Sequence, residues 1–121
     1  MRYDANQPGQ RTPWGHMTWM VSGELGNASE MTFGRVTIKP GNCNPRHCHP
    51  TCEEVLHLLS GELEHSLGDQ RIRMSAGDSI VIPAGVFHNA VNVGDVPADM
   101  IVCFSSAQRD FVLEDSNAVY A

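Results

Sequence analysis

The sequence predicts an all-β fold, and three observations predict it. Apolar residues alternate with polar ones or run in short blocks, and no helical period is sustained. Gly, Pro, Asn or Asp interrupts the pattern about every 8–12 residues, the spacing of strands and turns in a sandwich or barrel. The chain has 121 residues, 41% of them hydrophobic and 18% charged, enough for one core and too few for a second domain.

The elements follow in order. Residues 1–15, rich in Pro, Gly and polar groups, read as an extended N-terminal arm. Strands are expected over 17–22, 31–39, 46–49, 54–60 and 62–67, then over 70–74, 79–82, 86–93 and 100–106. Turn residues separate them: Pro40-Gly41-Asn42, Ser60-Gly61, Gly68-Asp69, Ala76-Gly77-Asp78, Pro83-Ala84-Gly85 and Val93-Gly94-Asp95. Glycine supplies positive φ in such turns, and Asn and Asp tolerate it. The barrel is thus residues 16–106. Residues 107–121, polar and aperiodic, read as a short tail or edge segment.

Composition excludes several functions. Eight Lys and Arg stand against 14 Asp and Glu, a formal charge of −6, the wrong balance for gripping a phosphate backbone. No nucleic-acid partner is expected. Lys39 is the single lysine, so Schiff-base chemistry has one candidate. Apolar runs are a few residues long, far short of the ~20 that span a bilayer, and the first residues form no apolar leader. The expectation is a cytoplasmic protein with no membrane partner. Its cysteines, at 43, 48, 52 and 103, are then expected as free thiols.

The six histidines carry the chemistry. In an extended strand alternate side chains share a face, so His47 and His49 can enter one cavity. A carboxylate from the next strand can close that site. His88 begins a later strand, after the Pro83-Ala84-Gly85 turn. Three imidazoles and a carboxylate suffice for a divalent first-row ion and leave positions open for substrate.

Both stretches resemble the two motifs of the cupin superfamily. The first motif is Gly, five residues, His-x-His, three or four residues, Glu, six residues, Gly, and Gly41, His47, His49, Glu54 and Gly61 fit it. The second is Gly, five residues, Pro-x-Gly, two residues, His, three residues, Asn, and Gly77, Pro83, Gly85, His88 and Asn92 fit it. The resemblance implies a double-stranded β-helix, or jelly-roll barrel, holding one metal on His47, His49, Glu54 and His88. It also implies a homodimer, as small cupins commonly bury an exposed sheet face by pairing.

Competing readings bear on particular residues. Glu53 would fit the looser spacing, but Glu54 keeps six residues before Gly61, and adjacent strand residues face opposite ways. Cys43, Cys48 and Cys52 interleave with the histidines and lack the paired spacing of a structural zinc site. Beyond the ligands, candidates for a catalytic role are His16 in the arm, His57 and Glu53. The competing assignments are a packed or exposed His16, a barrel or interface His57 and an outer-face Glu53. His65, beside a hairpin turn, is expected at the surface. Arg35, sharing a strand face with Thr37, could grip a carboxylate or simply point outward. Trp19, Phe33, Phe87, Met100 and Phe104 are expected in the core.

Such a site suits a small-molecule substrate offering two oxygens, such as a hydroxy acid, a keto acid or a sugar enediol. Ligand types do not choose among Mn, Fe, Ni, Zn and Cu. Three functions follow: a non-redox isomerase, lyase or dehydratase; an Fe(II)-dependent dioxygenase of a small acid or diketone; and a binding or sensing module without catalysis. Thiols beside an oxygen-activating iron would risk oxidation, which favours the first.

Overall fold

The alternation becomes two antiparallel sheets in the computed structural model, which describes residues 9–118. The strands are β1 (Gly9–Arg11), β2 (Gly15–Val21), β3 (Thr32–Ile38), β4 (His47–Cys48), β5 (Glu54–Ser60) and β6 (Glu62–Leu67). They continue with β7 (Gln70–Ser75), β8 (Ser79–Ile82), β9 (His88–Asn92), β10 (Ala98–Phe104) and β11 (Val112–Leu113). One sheet has the order β1-β2-β3-β10-β5-β8, the other β11-β4-β9-β6-β7. From β3 to β10 the chain passes repeatedly from one sheet to the other, the connectivity of a jelly roll. No helix among the described residues is long and apolar enough to cross a membrane.

Period-2 alternation sets which side chains fill the space between the sheets. In β5, Glu54, Leu56 and Leu58 are buried while Val55 and Leu59 are exposed. In β9, His88, Ala90 and Asn92 turn inward, and in β10, Ala98, Met100, Val102 and Phe104 do so. Met100 and Phe104 thus occupy the core as expected, and Trp19 packs against it half-buried. Phe33 and Phe87 are only half-buried.

The strand boundaries follow the sequence closely between residues 15 and 106, and two strands lie outside the expected set. Gly9–Arg11, in the expected arm, pairs antiparallel with β2. Val112–Leu113, in the expected tail, pairs with β4. Both are short, and neither buries a residue. They carry no apolar alternation, so only their backbone bonds reveal them. The rest of the arm and tail, residues 1–8 and 119–121, lies outside the described residues.

Two turns need their glycines. Gly61 has φ +91°, and a Cβ there would lie 2.9 Å from the Cα of Ala98. Gly85 has φ +79°, and its N–H donates to the His49 carbonyl at 2.9 Å. The turn before β9 is therefore fastened to the strand end that carries His49.

Asn92 is the polar anchor of the inner face, fully buried. Its amide donates to the carbonyls of Ile38 at 3.0 Å and Val96 at 2.8 Å, and its Oδ1 accepts the Gly94 N–H at 2.9 Å. One side chain thereby holds β3, β9 and the following turn in register. Asn92→Leu strands the buried Ile38 carbonyl and leaves the part-buried Val96 carbonyl and Gly94 N–H without their partner, so a loss of roughly 1–3 kcal/mol in unfolding free energy is expected. The solvent-facing change Met31→Gln should stay within about 0.5 kcal/mol. Urea denaturation of both variants checks the contrast.

Candidate metal centre

β4 and β9 are neighbours, and their register sets His47 directly opposite His88. His49 follows one step beyond β4 and shares the parity of His47. All three rings are buried. Their centroids lie 4.9 Å (His47–His49), 4.3 Å (His47–His88) and 5.3 Å (His49–His88) apart. One ligand atom from each falls within 4.8 Å of the others, so the three could hold a metal ion.

The orientation of each ring is fixed by its other nitrogen. His47 Nδ1–H donates to the Pro45 carbonyl at 2.8 Å, His88 Nδ1–H to the Val86 carbonyl at 2.9 Å and His49 Nδ1–H to the Asp110 carbonyl at 3.0 Å. A carbonyl oxygen only accepts, so Nδ1 carries the proton in every case. In the neutral imidazole this leaves Nε2 as a lone pair, and hydrogen bonding at the far nitrogen is how proteins orient histidine ligands.

Glu54 brings the fourth donor atom from the facing sheet. Its Oε1 lies 3.3 Å from His49 Nε2 and 3.2 Å from His88 Nε2, and all three atoms are buried without a hydrogen-bond partner. Acceptor faces acceptor in a buried site, an arrangement that calls for positive charge. A cation supplies it, so the donor set fits a divalent ion. A second proton on either ring would also supply it. Burial pushes the Glu54 carboxyl up, but the nearness of His49 and His88, which donate and carry charge once protonated at Nε2, outweighs burial and holds it down at about 2. Burial, helped by the charge of His88, lowers His47 to about 3, so this ring is neutral near pH 7.

The cavity between these groups has a volume of about 30 Å³. Val36, Ile38, Leu56, Met100 and Val102 form apolar walls, and Asn44, His65 and Arg109 are further polar lining residues. His65 corrects the expectation of a surface histidine. It is fully buried, and its ring stacks on His88 with centroids 5.7 Å apart and planes at 12°. Burial, then the charge of His88, lowers it to about 4. Its parity was the available signal: it alternates with Leu63, a core residue of the same strand.

The other candidates stand elsewhere. Glu53 is exposed, on the opposite side from Glu54, and its backbone N–H donates to Ser105. His57 lies on the outer face of β5 and its Nδ1 contacts Ser79 Oγ at 2.7 Å. His16 shares no face with the inward Met17 and contacts Thr18 Oγ1. Neither His16 nor His57 lines the cavity. Arg35 pairs with Asp99 across β3 and β10, so its carboxylate partner is internal. All four cysteines are free thiols, and Cys48, between the two histidines, faces β11 opposite Val112. Arg109 and Asp110 were not legible as site residues, because they lie in an aperiodic segment whose path over the cavity mouth has no local sequence signal.

A family profile described as Cupin domain matches residues 34–104. Germin-like protein subfamily 3 member 2 of Arabidopsis thaliana is 36% identical over 80 residues, covering 62% of this chain and 35% of that protein. Oxalate oxidase 1 of Hordeum vulgare is 34% identical over 96 residues, covering 71% of this chain and 47% of that protein. A solved Bacillus subtilis oxalate decarboxylase, described with Mn(II) centers, superposes with a TM-score of 0.82 at 21% identity, over 89% of this chain and 30% of that one. The chain thus spans less than half the length of these relatives. The fold is the cupin jelly roll, and the chain belongs to the cupin family.

Proposed function

We propose that this chain is a mononuclear metal-dependent enzyme acting on a small carboxylic acid of the oxalate kind, with manganese as its ion. The observation that carries the reading is the convergence of His49 Nε2, His88 Nε2 and Glu54 Oε1, all buried and partnerless, beside His47. His47, His49, His88 and Glu54 would hold the ion. When bound there, a divalent cation polarises the oxygens of a chelating acid and withdraws electron density from the bond to be cleaved.

The chain's own residues prepare the site. Three backbone carbonyls take the Nδ1 protons and fix the direction of the imidazoles, turning Nε2 toward the cavity. Glu54 contributes one negative charge, so a divalent centre would keep a net charge of about +1 and still attract an anion. The aliphatic walls exclude water and strengthen every electrostatic interaction inside. Apart from the four proposed ligands and Arg109, His65 is the only titratable residue lining the cavity. The oxalate oxidase relative supports a small acid over a sugar as substrate.

The small cavity supports a second reading, in which the ion is bound without catalysis. The exposed apolar strip of Val55, Leu59 and Val81 on the outer face of the first sheet is the surface on which we propose that two copies pair. Gel filtration coupled to light scattering tests the pairing, which a monomer at micromolar concentration would overturn.

Metal analysis of protein purified without a metal-affinity tag, followed by oxalate consumption, CO2 release and oxygen uptake, tests the function. Expected are stoichiometric manganese and loss of oxalate, with oxygen uptake separating an oxidase from a lyase. Metal without turnover of any small acid would leave the binding reading. His47→Ala, His49→Ala and His88→Ala should each lower metal occupancy at least tenfold, and Glu54→Gln should lower it more than Glu53→Gln. Equal metal content in the two glutamate variants would remove Glu54 from the ligand set.

Acid should weaken the metal-free protein. The folded state holds His47 and His65 at about 3 and 4 against 6.5 for the ordinary histidine, so the unfolded chain binds more protons between those values. Their contribution is fully present above about pH 6.5 and is lost as pH falls toward 4, roughly 1–2 kcal/mol for each histidine by pH 5. Guanidinium denaturation at pH 7.5 and 5.0 measures the slope. His65→Leu should flatten it, and an unchanged slope would contradict the buried, neutral assignment of His65.

A further inference from the structure

The inner cavity, at about 30 Å³, has room for about one water molecule. An acid reaching the imidazoles must therefore be held in part at the mouth. Outside the mouth lies a larger groove of about 710 Å³, whose walls include Trp19, Leu25, Gln108 and Phe111. Arg109 is the residue that lines both spaces.

The setting of Arg109 is built from several directions. Its guanidinium carbon lies 4.5 Å from the ring centroid of Trp19, 5.2 Å from Phe111 and 5.8 Å from Phe104. Nη2 reaches Met17 Sδ at 3.8 Å. Trp19 in turn lies against Gly34, where an added Cβ would fall 2.4 Å from the indole, so the glycine makes room for the ring under the guanidinium. Aromatic rings hold a guanidinium by its faces, whereas its donors lie in its plane and match a carboxylate in a bidentate fork. Arg109 is the sole permanent cation among the residues lining the cavity, while the groove otherwise carries the acidic Glu24 and Asp110.

We propose that Arg109 is the substrate-binding residue that selects a carboxylate at the mouth of the metal centre. It pairs with one carboxylate of a small acid while the remaining oxygens point inward to the imidazoles. The assignment deepens the small-acid reading above and rests on it. It also explains why the outer groove and the inner cavity meet at a cation rather than at an apolar neck.

The test is calorimetric titration of oxalate and glycolate into the manganese-loaded full chain. Wild type, Arg109→Met, Arg109→Lys and the surface control Arg73→Met are compared, with manganese content measured for each. Expected are unchanged manganese in all four, at least tenfold weaker acid binding in Arg109→Met, an intermediate loss in Arg109→Lys and none in Arg73→Met. Added guanidinium chloride at millimolar concentration should restore part of the binding to Arg109→Met, which a purely structural role would not allow. If Arg109→Met fails to fold, Arg109→Lys, which keeps the stem and charge but not the fork, decides the matter. Acid binding within twofold of wild type in a folded, manganese-loaded variant overturns the role of Arg109 and leaves the small-acid reading intact. No acid binding by the wild type overturns both.

Discussion

Three imidazoles that converge inside the barrel, two of them 3.2–3.3 Å from a buried carboxylate oxygen, are the constraint on which this structure turns. His47, His49 and His88 have their Nδ1 protons committed to backbone carbonyls, so their Nε2 lone pairs and the Glu54 carboxylate meet with no donor among them. Such an arrangement is costly in an apolar interior unless a positive charge sits within it. A divalent ion among these atoms would relieve that cost. Packing alone would have favoured aliphatic side chains at all four places.

The two sheets divide the work of holding that arrangement. β4 and β9, adjacent in one sheet, set His47 against His88, and β5 in the other sheet presents Glu54 opposite Phe104. The group thus spans the gap between sheets, and the distance between the proposed ligands depends on how the whole core packs. Leu58, Leu63 and Met100 fill that core with almost no exposure. Asn92 then ties β9 to the end of β3 through the Ile38 carbonyl and to the following turn through that of Val96, so the strand that carries His88 cannot slide without stranding buried polar groups.

Much of this was legible before any coordinates. His47, His49, Glu54 and His88 follow from spacing, because strand parity and turn glycines convert sequence distance into a shared face. Glu54 faces the cavity and Glu53 the outside by the same alternation, which puts Leu56 and Leu58 on the inner side of β5. His65 was misread because proximity to a hairpin outweighed its parity with Leu63. Arg109, Asp110 and the short β11 were out of reach for another reason. Their positions follow from where the chain travels after β10, and a non-periodic polar segment encodes that path only through long-range contacts.

The three carbonyls that orient the imidazoles are not equivalent, and the difference matters for how the site could respond to its surroundings. Pro45 and Val86 lie two residues before His47 and His88, so those rings are fixed by local chain geometry. His49 instead depends on Asp110, separated from it by 61 residues. The segment around Asp110 is held by the Ala107 carbonyl to Gly23, by the Glu114 N–H to Arg46 and by the pairing of β11 with β4. Any displacement of that segment removes the partner that fixes the His49 ring while leaving the other two in place. The same segment carries Arg109, which lines the cavity, so the orientation of one proposed ligand and the approach to the cavity are set by a single stretch of backbone.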